Sequence, residues 1–377
     1  MTIPFIDLKA QYAALKSDID ARIATVLEHG KYVMGPEVSE LESRLADFSG
    51  AKHVVSVSSG TDALLVALMA EGIGPGDAVF VPALTFTATA EVILLVGAIP
   101  VFTDVSPSTY NIDPADLKHR VEQTIERGQL RPRAIIAVDL FGLPADFVAL
   151  DTIADAHNLL VIDDGAQSFG ATLDGRRVGS LAPVTATSFF PAKPLGCYGD
   201  GGALFCDDAD RGTLYDSIRV HGKGSNKYDV VRIGLNARMD TMQAAVLLAK
   251  LDVFESELTA RESLAQLYDK RLESHFTLPP RIPGATSAWA QYTIQADHRD
   301  ALAAELKARG IPSAVYYPSP MHLQTAYQIH GEGSGSLPNA EQLSHRVLSL
   351  PMHPYMDDQV AEQICHALVD ASEAVSV

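Results

Sequence analysis

Cysteine is scarce in this chain. Cys197, Cys206 and Cys365 are the only three in 377 residues, and none stands in a CxxC or Cys/His ligand pattern. That excludes a disulfide framework and a zinc site, leaving free thiols in a reducing compartment as the expectation. Positive charge is also short: 29 Lys and Arg face 47 Asp and Glu, for a net charge of −18. A general nucleic-acid surface needs a basic footprint and is excluded on this balance. Long apolar runs are missing as well. The longest, 92–102, is interrupted by Gly97 and Pro100 and is too short to cross a bilayer. The start, Met1-Thr2-Ile3-Pro4-Phe5-Ile6-Asp7, lacks a basic region followed by an apolar stretch, so no signal peptide is expected. A soluble cytoplasmic protein with no membrane or nucleic-acid partner is the resulting expectation. No internal repeat is present, and the one low-complexity patch, 331–336, reads as a loop.

What the chain has is core. Its hydrophobic content is 47%, and its length suits two domains of ordinary size. Residues 8–30 predict a helix, with Leu15, Ile19, Ile23, Val26 and Leu27 on one face. A second follows Gly35-Pro36, carrying Val38, Leu41, Leu45 and Phe48. Short β-rich runs at 53–57, 78–81, 99–103, 134–138, 159–163, 185–190 and 203–206 then alternate with helical stretches. Such runs suit strands covered by helices on both faces. The expected fold class is therefore α/β, with a mostly parallel sheet and ligands at the carboxyl ends of its strands. After Met239 one long helix is predicted from Thr241 to about Leu272. A strand at 290–296, a helix at 299–309 and a strand at 315–317 follow. The expected organisation is a large domain over 1–249 and a smaller α+β domain over 250–377.

The chemistry concentrates at two strand ends. The apolar run 159–162 leads into Asp163-Asp164-Gly165-Ala166-Gln167-Ser168. A later β-type run leads into Ser188-Phe189-Phe190-Pro191-Ala192-Lys193 and the turn Gly199-Asp200-Gly201-Gly202. A carboxylate on one strand end and an isolated lysine after another are what pyridoxal phosphate (PLP) chemistry requires. The lysine forms a Schiff base, and the carboxylate holds a proton on the pyridine nitrogen so the ring can take up electrons. Asp163 and Asp164 cannot be separated by periodicity, since a strand-end carboxylate also caps helices. With Asp164 as the pyridine partner, Gln167 would reach the ring's phenolic oxygen. Lys193 lies in apolar company, and to attack an aldehyde it must be neutral. Burial and a cationic neighbour are expected to lower its pKa. Ser58-Ser59-Gly60-Thr61-Asp62 stands at a strand–helix junction, where exposed amides bind phosphate and Gly60 lets the backbone approach. Ordinary capping by Ser59 or Thr61 is the plainer alternative. Ser188 could add a hydroxyl, and Phe86, after the strand at 78–81, a plate to stack on the ring. Arg219, Lys223, Lys227, Arg232 and Arg238 form a basic run that reads as a solvated loop or as an anion site. Gly72-Ile73-Gly74-Pro75-Gly76 precedes a strand and is a turn, not a dinucleotide fingerprint.

Taken together these motifs resemble the DegT/StrS-type PLP-dependent sugar-nucleotide aminotransferases of fold type I. The matching text is Ser59-Gly60-Thr61-Asp62-Ala63-Leu64, Asp164-Gly165-Ala166-Gln167-Ser168, Ser188-Phe189-Phe190 with Lys193, Gly199-Asp200-Gly201-Gly202 and Gly234-Leu235-Asn236-Ala237-Arg238-Met239. The resemblance implies that Lys193 holds the cofactor covalently and that Asp164 is the pyridine partner. It implies that Gly60, Thr61, Gln167 and Ser188 hold the cofactor's oxygen and phosphate. Asn236 would reach the phosphate in a neighbouring subunit, which implies a homodimer with shared sites. Arg238, His322, Tyr316 and Tyr317 would lie near the nucleotide sugar, and L-glutamate would donate the amino group. Gly165 stands where the family has alanine, a harmless change by expectation, and Tyr316 where the most similar branch has histidine. That branch makes a 3-amino sugar from UDP-linked 3-oxo-N-acetylglucosaminuronate for bacterial surface polysaccharide. Lys193 separates the chain from relatives that carry histidine there and dehydrate sugars. A regulatory PLP-binding protein and an aminotransferase for another 3-oxo or 4-oxo sugar are the remaining alternatives.

Overall fold

The computed structural model describes residues 3–226 and 228–375. Helix α1 (Leu8–His29) begins at Asp7, whose carboxylate accepts the Ala10 N–H, and ends at Gly30 in the left-handed region. Helix α2 (Pro36–Ser49) has proline in its first turn, where no N–H is needed. The alternation follows: β1 (His53–Val57), α3 (Gly60–Ala70), β2 (Asp77–Pro82), α4 (Thr87–Leu95), β3 (Ile99–Thr103), α5 (Pro114–Arg127), β4 (Arg131–Val138), α6 (Phe147–His157) and β5 (Leu160–Asp164). Two-residue strands β6 (Thr172–Leu173) and β7 (Arg176–Arg177) precede β8 (Val184–Ser188), β9 (Gly202–Cys206) and α7 (Ala209–Arg219).

Seven strands form one sheet in the order β1-β9-β8-β5-β4-β2-β3. All are mutually parallel except β9, which runs antiparallel to both β1 and β8. These are the seven strands read from the sequence, shifted at most by a few residues at their ends. Their central positions are buried on both faces, as helix-covered strands require. The parallel arrangement brings the ends of β1, β5 and β8 to a single edge, and the start of β9 returns to it. Gly202 is forced by this crowding: a Cβ there would lie 2.4 Å from the Ser59 carbonyl oxygen.

The long helix expected over 241–272 is two helices, α8 (Thr241–Leu251) and α9 (Phe254–Leu272). The break falls at Asp252-Val253, where Val253 N–H turns back to the Lys250 carbonyl. Neither proline nor glycine marks it, and the apolar spacing continues across because both helices bury a face. Beyond lie β10 (Ala285–Thr286), which joins β6 and β7, then β11 (Tyr292–Gln295), α10 (Arg299–Ala308), α11 (Pro338–Arg346), β12 (Val347–Leu350) and α12 (Asp358–Val375). Antiparallel β11 and β12 share a second core with α9, α10 and α12, built on Leu264, Tyr268, Ile294, Leu306, Leu348 and Leu368. Ile3, at the other end of the chain, packs against this second core. The strand expected at 315–317 is absent. Only Ala314 bridges to Ser349, and the two tyrosines that follow serve a cavity wall instead. All three cysteines are buried and unpaired. Among the described residues no helix is long and apolar enough to cross a membrane.

Candidate active site

At the carboxyl edge of the sheet lies a cavity of about 480 Å³, bordered by Gly60, Thr61, Phe86, Asp164, Gln167, Ser188, Lys193, Tyr316 and Tyr317 among others. That is the volume of a small-molecule site. Its first wall is the N-terminus of α3. Ser59 caps the helix, its Oγ accepting the Asp62 N–H at 3.0 Å, so the plainer reading of this motif also holds. The amides that open the helix at Gly60 and Thr61 remain beside the cavity as an anion-binding end. Glycine is required at the first of them. A Cβ on Gly60 would meet the Ser188 Cβ at 2.6 Å, which would push the end of β8 away from the cradle.

Two adjacent aspartates end β5, and strand alternation sends them to opposite sides. Asp164 faces the cavity. Asp163 is fully buried on the other side, where its Oδ2 accepts the Thr185 hydroxyl at 3.1 Å and its carboxyl meets Asp139. Asp164 is held by the Thr89 hydroxyl, which donates to Oδ2 at 2.8 Å, and by the Ala166 N–H at 3.3 Å. Burial pushes its pKa up, while the Thr89 hydrogen bond and the Lys193 charge hold it down. Thr85 in turn bonds Thr89, 3.0 Å between hydroxyls. Gln167 is oriented by the Phe141 N–H, which donates to Oε1 at 2.8 Å and so turns the amide NH₂ toward Tyr317 and the cavity. A donor so placed suits a phenolate oxygen.

Lys193 sits in the turn between β8 and β9. Its N–H bonds the Phe190 carbonyl at 2.8 Å, and the Cys197 N–H bonds that of Phe189. Burial pushes the amine pKa down, and Asp164 opposes the shift. The cationic neighbour expected from the sequence is thus replaced by an anion: desolvation alone favours the neutral amine. Phe86, half exposed, tilts at 38° to the Tyr317 ring with centroids 6.2 Å apart, forming the opposite wall.

Three expected site residues lie elsewhere in the chain. Asn236 is exposed and pairs through its backbone with Val220. Arg238 is half-buried and outside the cavity lining. His322 is fully buried, with Nε2 3.1 Å from the Glu341 carboxylate, and borders a separate cleft near Arg120. The basic run divides too. Arg219 is buried between Glu42, Asp216 and Ser56 and is structural, so it belongs to no solvated or anion-binding loop. Lys227 lies outside the described residues. Thr89 escaped the sequence reading. Its one signal is the spacing Thr85-x-x-x-Thr89 at a helix start, one turn behind the strand at 78–81. Asp200, from the Gly199-Asp200-Gly201-Gly202 turn, also lines the cavity, as does Gln291, which no motif announces.

The residues present fit PLP. A helix N-terminus cleared by a glycine would take its phosphate, a buried carboxylate its ring nitrogen, an oriented amide its phenolic oxygen and an amine its aldehyde carbon. Comparison with known proteins agrees. The chain is 47% identical over 369 residues to the UDP-2-acetamido-2-deoxy-3-oxo-D-glucuronate aminotransferase of Pseudomonas aeruginosa, covering 98% of this chain and 100% of that one. A solved DegT DnrJ EryC1 StrS aminotransferase from Brucella abortus superposes with TM-score 0.95 at 49% identity, over 97% of this chain and 98% of its own. A Streptococcus pneumoniae protein described as a sugar aminotransferase, in its PLP form, superposes over the full length of both chains with TM-score 0.90 at 26% identity. Residues 13–369 match the DegT/DnrJ/EryC1/StrS aminotransferase family, and the chain belongs to it.

Proposed function

We propose that this chain transfers an amino group from L-glutamate to a nucleotide-linked ketosugar, UDP-2-acetamido-2-deoxy-3-oxo-D-glucuronate by preference, with PLP as cofactor. One observation carries the reading: Asp164, Lys193 and the N-terminus of α3 border one cavity. The substrate choice rests on the likeness to the Pseudomonas enzyme. On this reading the reaction belongs to the cytoplasmic supply of amino sugars for bacterial surface polysaccharide.

Bound PLP supplies an electron sink that stabilises the carbanion formed when a substrate α-carbon loses its proton. The protein's part is positional and electrostatic. The Gly60 and Thr61 amides, with the Ser188 hydroxyl, anchor a phosphate and fix the ring's orientation. The Thr89 hydroxyl favours the ionised form of Asp164 against the cost of burial, and that carboxylate would keep a proton on the cofactor's ring nitrogen. The Lys193 amine, neutral when desolvated, would take the proton from the substrate α-carbon and deliver it to the carbon that had been the cofactor's aldehyde. Phe86 and Tyr317 narrow the cavity and exclude water from the ring face. Among the described residues Lys193 is the only cation on the wall, so a sugar diphosphate needs charge from elsewhere. Asn236 and Arg238 stand on a surface segment that also exposes Val230, Val231 and Ile233. An exposed apolar patch of this kind calls for a covering surface. The reading is a homodimer in which this segment completes the partner's site.

The test is a spectrum. With PLP supplied, L-glutamate should shift the lysine-linked cofactor band and release 2-oxoglutarate, and one ketosugar from a panel of 3-oxo and 4-oxo UDP and dTDP sugars should restore it. No band with PLP present would refute the assignment of Lys193. A shift that only 4-oxo sugars reverse would refute the substrate.

A further inference from the structure

Lys250 is a buried cation that the chemistry above leaves without a task. It lies one residue from the end of α8 and is fully inaccessible to solvent. Its Nζ donates to the Gly196 carbonyl at 2.6 Å and sits 4.2 Å from the centre of the Tyr198 ring. Burial pushes its pKa down to about 8, against the attraction of Glu257 on α9. Burying a lysine without a full ion pair is costly, and an apolar side chain of the same length would do as well or better for stability alone. A gain elsewhere must account for it.

That gain is found in what Gly196 belongs to. Residues 190–197 form the turn that carries Lys193, folded so tightly that a Cβ on Gly196 would lie 2.6 Å from the Pro191 oxygen and 2.7 Å from that of Phe190. The same Phe190 oxygen accepts the Lys193 N–H. Any shift of Gly196 is therefore passed to Lys193 through direct contact. Helix α8 holds the turn at a second point, where Gln243 Oε1 accepts the Tyr198 N–H at 2.8 Å. We propose that Lys250 is a positioning residue: its ammonium clamps the Gly196 carbonyl and fixes the turn that presents Lys193 to the cavity. A charged donor suits this task because its hydrogen bond to a carbonyl is stronger than a neutral one. Lys250 is too deep to touch substrate or cofactor, so it acts only through the turn. The functional consequence rests on the reading of Lys193 as the cofactor-bearing lysine.

The experiment compares the full-length wild-type protein with K250M, first without cofactor. Amide hydrogen exchange in peptides spanning 190–202 should be about tenfold faster in K250M, as expected for losing one charge-assisted hydrogen bond from a local unit. Exchange elsewhere and the melting temperature should be unchanged, or the latter raised. PLP is then added and trapped with borohydride. The rate of capture at Lys193, read by peptide mass, should fall several-fold in K250M and recover in part in K250Q, which retains an N–H donor. Wild-type exchange over 190–202 in K250M would overturn the clamp. So would a general loss of stability with exchange raised throughout, since Lys250 would then be an ordinary structural group. Failure of wild type itself to capture PLP at Lys193 would instead overturn the reading of that lysine, leaving the clamp to be decided by exchange.

Discussion

Asp164 shows how much of the site depends on groups that carry no motif. Its carboxylate is useful only while ionised, yet burial works against that state, and the Thr89 hydroxyl supplies the compensating hydrogen bond. Replacing Thr89 with valine keeps the shape and removes the donor. The loss should be about 1–3 kcal/mol at Asp164, seen as a fall in kcat of about tenfold or more with KM for glutamate little changed. Asp164→Asn, which cannot be ionised, should lose far more and also retain PLP poorly. Gly60→Ala should weaken PLP retention about tenfold, because crowding Ser188 forces a displacement of the order of 1–3 kcal/mol; equal retention on dialysis would contradict the cradle. Of the cavity residues, Gly60 and Gln167 were legible because each stands in a polar or glycine-marked stretch that interrupts apolar sequence, and Lys193 because it is an isolated charge among apolar neighbours; Asp164 was legible only as one of an adjacent pair. Thr89 was not, because a threonine in a first helical turn is ordinary. His322 was expected near the sugar from the resemblance alone, and only packing reveals that it is buried against Glu341, away from this cavity.

At the scale of elements, β4 and β5 end side by side and bring Asp139, Asp163 and Asp164 together. Asp139 and Asp163 are fully buried, and their carboxyls meet. Two such groups resist ionising together at close range, so burial and mutual repulsion favour keeping a proton shared by the pair. Burial raises Asp139 from 3.8 to about 7, and the same causes raise Asp163. Between those pH values the folded protein keeps a proton that the unfolded chain has already lost. Stability from this pair is therefore present at low pH and declines as pH rises through about 7. Asp163→Asn removes one of the two carboxyls. Denaturant unfolding at pH 5 and pH 8 should show the variant gaining on wild type at the higher pH, and parallel behaviour would contradict the shared proton. The strands of this sheet were readable because most are brief apolar runs closed by Gly, Pro or Asp. The break at Asp252-Val253 and the missing strand at 315–317 were not, since both are decided by tertiary contacts that leave local periodicity intact.

For the whole molecule, the question is why one subunit's cavity is poor in cations while the segment holding Asn236 and Arg238 stands apart from it. The proposed homodimer with shared sites would answer both. Its direct consequence is complementation: Lys193→Ala mixed with Arg238→Ala, after dissociation and reassociation, should recover activity that neither variant has alone. Absence of recovery in verified mixed dimers would place Arg238 and Lys193 in one subunit's site. The alternating pattern of the sequence revealed the sheet at this scale but not the exposed apolar segment, because Val231 and Ile233 carry no periodicity to set them apart from core. The measurement that bears most directly on the central assignment follows the nitrogen itself. L-glutamate with an isotopically labelled amino group is supplied with PLP and the UDP-linked 3-oxo sugar, and the sugar product is analysed by mass. Wild type should place the label on the sugar, and Lys193→Ala should place none above background, a loss of about ten-thousandfold. Label appearing in the sugar at the wild-type rate in Lys193→Ala would contradict the assignment.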